Sequence, residues 1–129
     1  MKHSPGFLRL VEEARKHIQE CTIEQVKDQL DRHEPFQFID VREDKEYARD
    51  HAHGAQHIGR GVLERDVETL IPDKQIEIVL YCGGGYRSAL AANSLRQMGY
   101  TNVASMIGGI TAWRDAGYPM SRTEKQCET

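Results

Sequence analysis

The feature that most constrains this chain is an apolar strand pattern that runs directly into a cysteine and three glycines. Residues 76–81 hold four aliphatic side chains in six positions, most of them β-branched, which is typical of a buried strand. Residues 88–98 carry apolar side chains at helical spacing, and Gly99 follows where a helix commonly ends. Cys82 is therefore expected in a tight turn between a strand and a helix.

This turn, from Cys82 to Ser88, has the composition of a reactive thiol site. Glycines allow the backbone to curl and to direct successive N–H groups at one centre, where the following helix adds its positive end. A cysteine at that centre is stabilised as the nucleophilic thiolate, and Arg87 can hold an anion beside it. An inert buried cysteine and a phosphate-binding turn are the alternatives, but no Gly-Lys-Ser/Thr follows the glycines.

The remainder of the chain alternates helix and strand patterns. Thr22 is a predicted N-cap, with Gln25 three residues later completing a capping box. The alternation predicts an α/β fold, a parallel sheet with helices on both faces, in which ligands bind at the carboxyl ends of the strands. The predicted helices cover residues 7–20, 22–33, 44–48, 63–71, 88–98 and 110–116, and the predicted strands cover residues 36–40, 55–58, 76–81 and 103–107.

Length and charge restrict the function classes. The chain has 129 residues, which suits one domain, and 17 basic against 20 acidic side chains give a formal net charge of −3. This balance gives no overall reason to bind nucleic acid or an anionic membrane. No segment approaches the roughly 20 apolar residues of a membrane span, and Arg9 interrupts the apolar run that a signal peptide needs. We expect a cytoplasmic protein.

Neither the cysteines nor the histidines form a metal-binding pattern. Cys21, Cys82 and Cys127 are an odd number without a C-x-x-C pair, so neither a disulfide framework nor a zinc site is expected. The histidines at positions 51, 53 and 57 fit no single helical face, which favours structural roles. We predict that the protein uses no metal and no cofactor.

Several segments in this order resemble a single-domain rhodanese-like protein, of the thiosulfate sulfurtransferase family. The resemblance covers residues 22–120 and rests on Asp40-Val41-Arg42-Glu43, Glu46-Tyr47, His53-Gly54-Ala55, Ile58-Gly59-Arg60-Gly61, Tyr81 to Ser88, Gly99-Tyr100, Gly108-Gly109-Ile110, Ala112-Trp113 and Gly117-Tyr118-Pro119. It implies a five-stranded, mostly parallel central sheet flanked by helices on both faces. Residues 1–21 then form an N-terminal helical extension, and residues 121–129 a polar tail.

The resemblance also implies an activity. A rhodanese moves sulfane sulfur from thiosulfate, or a similar donor, to cyanide or a thiol, here through a persulfide on catalytic Cys82. Beyond Cys82, the residues expected to bind substrate are Gly83, Gly84, Gly85, Tyr86, Arg87, Ser88 and Arg60. A sulfur-carrier or regulatory module that hands the persulfide to a protein partner remains an open alternative.

Loop length argues against phosphate chemistry. The segment from Cys82 to Arg87 reads Cys-x4-Arg, whereas cysteine phosphatases, including those on a rhodanese-like fold, use Cys-x5-Arg. The shorter ring suits one extra sulfur atom better than a phosphoryl group with its three oxygens. A phosphatase or an arsenate reductase is therefore disfavoured.

Other residues are given structural roles. Asp40 is expected to cap a turn or pair with an arginine, and Arg42 to form a structural salt bridge. Trp113 is expected in the core, and the resemblance makes His53 a buried hydrogen-bonding residue. Cys21 and Cys127 are expected to take no part in the chemistry.

Overall fold

The computed structural model describes residues 3–123. Over this range the helices are α1 (Pro5–Arg15), α2 (Ile23–Asp31), α3 (Asp44–Arg49), α4 (Leu63–Leu70), α5 (Tyr86–Gln97) and α6 (Gly109–Asp115). The strands are β1 (Gln19–Cys21), β2 (Gln37–Asp40), β3 (His51–Ala52), β4 (Gln56–His57), β5 (Ile78–Tyr81), β6 (Val103–Met106) and β7 (Met120–Ser121). Residues 124–129, in the predicted tail, lie outside the described residues.

The central sheet has five strands in the order β1-β6-β5-β2-β4, and each neighbouring pair is parallel. Strands β3 and β7 form a separate antiparallel pair. Strand β5 lies in the middle and is buried along its whole length. The sequence-based prediction of a five-stranded, mostly parallel sheet is confirmed.

Alternate residues of β5 enter two separate cores, one on each face of the sheet, because successive strand side chains point to opposite faces. Ile78 and Leu80 pack with side chains of α4 and α5, while Val79 and Tyr81 pack with side chains of α2 and α6. The predicted placement of helices on both faces is therefore confirmed. Helix α1 packs along α5.

The local predictions succeed where the sequence carries its own signal. Thr22 caps α2, and the reciprocal bonds with Gln25, at 2.9 and 3.1 Å, complete the predicted capping box. The prediction that the first helix continues to Glu20 is wrong, since α1 ends at Arg15 and β1 follows as an edge strand. Residues 19–21 form a strand because they pair with β6, and the local sequence contains no signal that ends the helix at Arg15.

A buried ion pair fixes the chain where β2 ends. Asp40 is fully buried, and its carboxylate accepts hydrogen bonds from the Arg42 backbone N–H at 2.9 Å and from the Arg42 Nη2 at 2.8 Å. Burial opposes the charge of Arg42, but Asp40 outweighs burial, and the pKa of the guanidinium is raised. The predicted structural roles of Asp40 and Arg42 are confirmed.

Two further expectations have opposite outcomes. Trp113 is fully buried, as predicted. The prediction of a buried His53 is wrong: this residue is exposed, with its Nδ1 at 2.6 Å from the Ser121 Oγ. Its neighbour His51 is the buried histidine, because it lies in β3, whereas the chain turns at residues 53–54. Within residues 3–123, none of the helices is long and apolar enough to cross a membrane.

Replacing Arg42 by alanine leaves the Asp40 carboxylate buried without its partner. We expect a loss of about 3–5 kcal/mol of unfolding free energy, measured by urea denaturation. The matched control is Arg65→Ala, because the Arg65 side chain pairs with Asp66 but is 75% exposed. The control should be nearly neutral, and equal effects of the two substitutions would contradict a structural role for the buried pair.

Candidate active site

The Cys82 sulfur lies at the carboxyl end of β5 and receives backbone hydrogen bonds from the start of α5. Cys82 is 1% exposed. Its Sγ accepts from the N–H of Gly85 at 3.2 Å and from the N–H of Ser88 at 3.3 Å. Two backbone donors therefore converge on one sulfur atom.

The three glycines of the loop meet different spatial demands. Gly85 adopts a φ of 102° at the N-cap of α5, in the left-handed region that favours glycine. A Cβ at Gly83 would lie 3.2 Å from the Arg87 Nη2, and one at Gly84 would lie 3.6 Å from the Tyr86 ring. The loop therefore needs one unusual backbone conformation, at Gly85, and it leaves little space for a side chain at Gly83 beside Arg87.

Helix α6 holds the loop from behind. The N–H groups of Ile110 and Thr111 donate to the carbonyl oxygens of Cys82 and Gly83 at 2.9 and 3.1 Å. This approach requires Gly109, whose φ is 54° and whose added Cβ would lie 2.4 Å from the Cys82 oxygen. The carbonyls of the loop are therefore bonded to α6, while its sulfur faces α5.

A pair of buried hydroxyl groups lies next to the sulfur. The Ser88 Oγ is 3.6 Å from the Cys82 Sγ and 2.8 Å from the Ser105 Oγ, where either hydroxyl can be the donor. Sequence analysis did not single out Ser105. Its signal was a hydroxyl residue within the otherwise apolar strand β6.

Arg87 is paired with a carboxylate. Its Nη1 lies 3.0 Å from the Glu46 Oε1, and its Nη2 lies 3.4 Å from the Oε2. Burial opposes both charges, but the pair outweighs burial, so the pKa of Glu46 is lowered and that of Arg87 is raised. Glu46 also accepts from the Glu43 N–H at 2.9 Å at the start of α3. In the sequence Glu46 carried no signal of its own beyond the resemblance.

A cavity of about 350 Å³ opens at the sulfur and is lined by His3, Phe7, Cys82, Gly84, Tyr86 and Arg87. The last four belong to the predicted loop, whereas the first two come from the N-terminal segment, which sequence analysis placed outside the site. Arg60 is not among the lining residues. It pairs with Glu64 at 3.1 Å, one helical turn along the chain.

The other candidate groups lie elsewhere. Burial, with the charges of Glu77 and Glu20, raises the pKa of Cys21 to about 12, so this thiol stays protonated at neutral pH. Cys127 lies outside the described residues. In residues 3–123 no group of three or more His, Cys, Asp or Glu side chains could hold a metal ion.

Comparison with known proteins finds matches along most of the chain. The sequence model of the family described as Rhodanese-like domain matches residues 22–116. The thiosulfate sulfurtransferase PspE of Escherichia coli is 36% identical over 73 residues, which are 57% of this chain and 69% of that protein. YrkF of Bacillus subtilis, named provisionally as a sulfur carrier protein, is 32% identical over 96 residues. That match covers 74% of this chain and 51% of YrkF, so the chain spans about half the length of that relative.

Solved structures show the same fold. The solution structure of a rhodanese-like domain from Anabaena superimposes with a TM-score of 0.76 at 27% identity, covering 85% of this chain and 84% of that one. A Rhodopseudomonas palustris protein of unknown function, titled provisionally as a tyrosine phosphatase, has a TM-score of 0.83 at 30% identity. That match covers 94% of this chain and 98% of the other.

Gly109→Ala should displace the loop that carries Cys82, because the new Cβ overlaps the carbonyl oxygens bonded to α6. Gly117→Ala is the matched control, since Gly117 also has a positive φ, 76°, but an added Cβ meets nothing within 4 Å. The control should lose about 1–2 kcal/mol of unfolding free energy from backbone strain alone. Gly109→Ala should lose more and should change the rate at which iodoacetamide labels Cys82. Equal stabilities and equal labelling rates in the two variants would contradict this account.

Proposed function

Because the chain belongs to the rhodanese-like family, which includes sulfurtransferases, we propose that it transfers sulfane sulfur through a persulfide on Cys82. The observation that carries the proposal is the convergence of the Gly85 and Ser88 N–H groups on the Cys82 sulfur, at 3.2 and 3.3 Å. These donors stabilise the thiolate that must attack and the thiolate that must leave. Thiosulfate, or a similar anionic donor, is the proposed source of sulfur.

The proposed reaction has two displacements. The Cys82 thiolate attacks the outer sulfur of thiosulfate, a new S–S bond forms, and sulfite leaves with the electrons of the broken bond. An acceptor such as cyanide or a thiol then attacks the outer sulfur of the persulfide, and Cys82 leaves as a thiolate. The Ser88 hydroxyl can accept from the neutral thiol and donate to the thiolate, so it suits both states of the sulfur.

Arg87 is the proposed contact for the anionic oxygens of the donor. It lines the cavity beside Cys82, and its planar guanidinium matches paired oxygens. Since Glu46 already occupies the guanidinium, a dianionic donor must compete with that carboxylate. Arg60, which pairs with Glu64, is retained in the proposal only as a more distant positive charge at the mouth.

A sulfur carrier that hands its persulfide to a protein is the second candidate, favoured by the likeness to YrkF. Steady-state formation of thiocyanate from thiosulfate and cyanide separates an enzyme, which turns over, from a carrier, which reacts slowly with free thiosulfate. The short Cys-x4-Arg loop supports sulfur over phosphate chemistry, although the similar Rhodopseudomonas palustris protein is provisionally named a tyrosine phosphatase. We propose a cytoplasmic location and no nucleic-acid or membrane partner.

Treatment with thiosulfate should add the mass of one sulfur atom to the peptide that contains Cys82, as measured by mass spectrometry. Cys82→Ser should take up no sulfur and should form no thiocyanate, because a serine alkoxide is inaccessible near neutral pH. Cys21→Ser is the matched control and should behave as the wild type, because the Cys21 thiol is protonated at neutral pH. Sulfur on a peptide without Cys82 would contradict the proposal.

Glu46→Gln should lower the KM for thiosulfate by about fivefold. Glutamine keeps the oxygen that caps α3, but it replaces the ion pair of Arg87 with a hydrogen bond to an uncharged amide, a difference of about 1 kcal/mol. Steady-state kinetics with a fixed cyanide concentration measure the change. Glu64→Gln, which removes the carboxylate partner of Arg60, is the control and should leave the KM near the wild-type value. A raised KM in Glu46→Gln would mean that Glu46 positions Arg87 for the donor.

A further inference from the structure

The N-terminal segment is fixed against the domain by its own apolar face. Helix α1 packs along α5, and Val11 and Ala14 on α1 are 1% and 2% exposed. The spacing of these two residues places them on one side of the helix. The family match begins at residue 22, so this helix lies outside the matched residues.

The start of this segment lies against the loop that carries Cys82. The ring centroids of His3 and Tyr86 are 4.4 Å apart, and those of Phe7 and Tyr86 are 6.2 Å apart. The guanidinium carbon of Arg15 lies 5.3 Å from the centroid of the Tyr86 ring. Tyr86 is thus contacted by side chains from the beginning and the end of the N-terminal segment, and we call His3, Phe7 and Tyr86 the aromatic wall.

The cavity beside the aromatic wall is larger than inorganic substrates require. The cavity of about 350 Å³ lies within the size range of pockets that bind organic small molecules. Thiosulfate has five heavy atoms and cyanide two, so either would leave much of the wall without contacts. Carbon atoms and thiol sulfur both interact favourably with aromatic rings.

Charge at the cavity supports the same conclusion. Arg87 is the fully charged side chain among the lining residues, and its charge is balanced by the Glu46 carboxylate at 3.0 Å. Because this charge is balanced, the wall attracts anions only weakly. An uncharged carbon chain therefore meets little competition from anions there. The aromatic rings offer it an apolar surface beside the sulfur.

We infer that the aromatic wall selects the sulfur acceptor, favouring low-molecular-weight organic thiols that carry an apolar chain. The inference rests on the proposed function and assigns acceptor choice to Phe7 and His3, outside the matched domain. The acceptor thiolate attacks the outer sulfur of the Cys82 persulfide, the new S–S bond forms, and Cys82 leaves as a thiolate. The acceptor departs as a persulfide, so no external oxidant or reductant is needed.

The test measures how the chain length of the acceptor changes the rate of transfer. Wild-type protein preloaded with sulfur from thiosulfate is mixed with ethanethiol, 1-propanethiol or 1-butanethiol, whose thiols have similar acidity. Each second-order rate constant is divided by the rate constant with cyanide, which carries no chain. We expect this ratio to rise by up to about fourfold for each methylene that the wall buries.

Variants of the wall locate the effect. Phe7→Ala should flatten the dependence on chain length, and Phe7→Leu should restore part of it because leucine keeps an apolar side chain. Leu10→Ala is the matched control on the same helix, since Leu10 is 62% exposed and does not line the cavity. It should keep the wild-type dependence. If Phe7→Ala unfolds at a lower temperature than the wild type, His3→Ala is measured instead, because His3 is exposed. It should reduce the dependence of the rate on chain length.

The outcomes separate the inference from the proposed function. Efficient transfer to cyanide without any dependence on chain length would overturn the inference and leave the proposed function intact. A dependence that persists in Phe7→Ala, or in His3→Ala where that variant replaces it, would also overturn it. Failure of the wild type to form a Cys82 persulfide would overturn the proposed function and the inference together.

Discussion

The site depends on the way the peptide units of Cys82 and Gly83 are held between two helices. Their carbonyl oxygens are bonded from behind by α6, at 2.9 and 3.1 Å, and the sulfur is bonded from the other side by the first turn of α5. A loop that satisfies both sets of bonds has little freedom to move. The sheet makes this possible because β5 and β6 are parallel neighbours, so the helices that follow them start at the same edge.

Neutral hydrogen-bond donors, more than free cations, are placed to stabilise a negative charge on the sulfur. Arg87 is paired with Glu46, and Arg42 with the fully buried Asp40. Backbone N–H groups and the Ser88 hydroxyl remain as the groups that contact the thiol directly. Such dipoles can stabilise a negative sulfur without attracting anions from a distance, which fits a chain of net charge −3.

The sequence predicted the parts of the structure that carry local signals. The strand before Cys82, the glycine turn, the capping box at Thr22 and the helix before Gly99 could all be recognised from nearby residues. Strand β1 could not, because its pairing with β6 joins residues that are far apart in the chain. The Arg87–Glu46 pair and the hydroxyl of Ser105 beside Ser88 likewise depend on contacts made only in the folded chain. His53 is exposed because the two-residue strand β3 ends at Ala52 and the chain turns at residues 53–54, an end point set by pairing with the distant strand β7.

The position of α1 divides the chain into stretches that can change separately. The sulfur and its hydrogen-bond donors belong to residues 82–88, while two of the three rings of the aromatic wall belong to residues 3–7. The two stretches meet at Tyr86, whose side chain belongs to the wall while its backbone begins α5. Substitutions near the start of the chain can therefore alter the shape of the cavity while the hydrogen bonds to sulfur stay in place. One scaffold could in this way diversify its selectivity while inheriting its reaction centre intact.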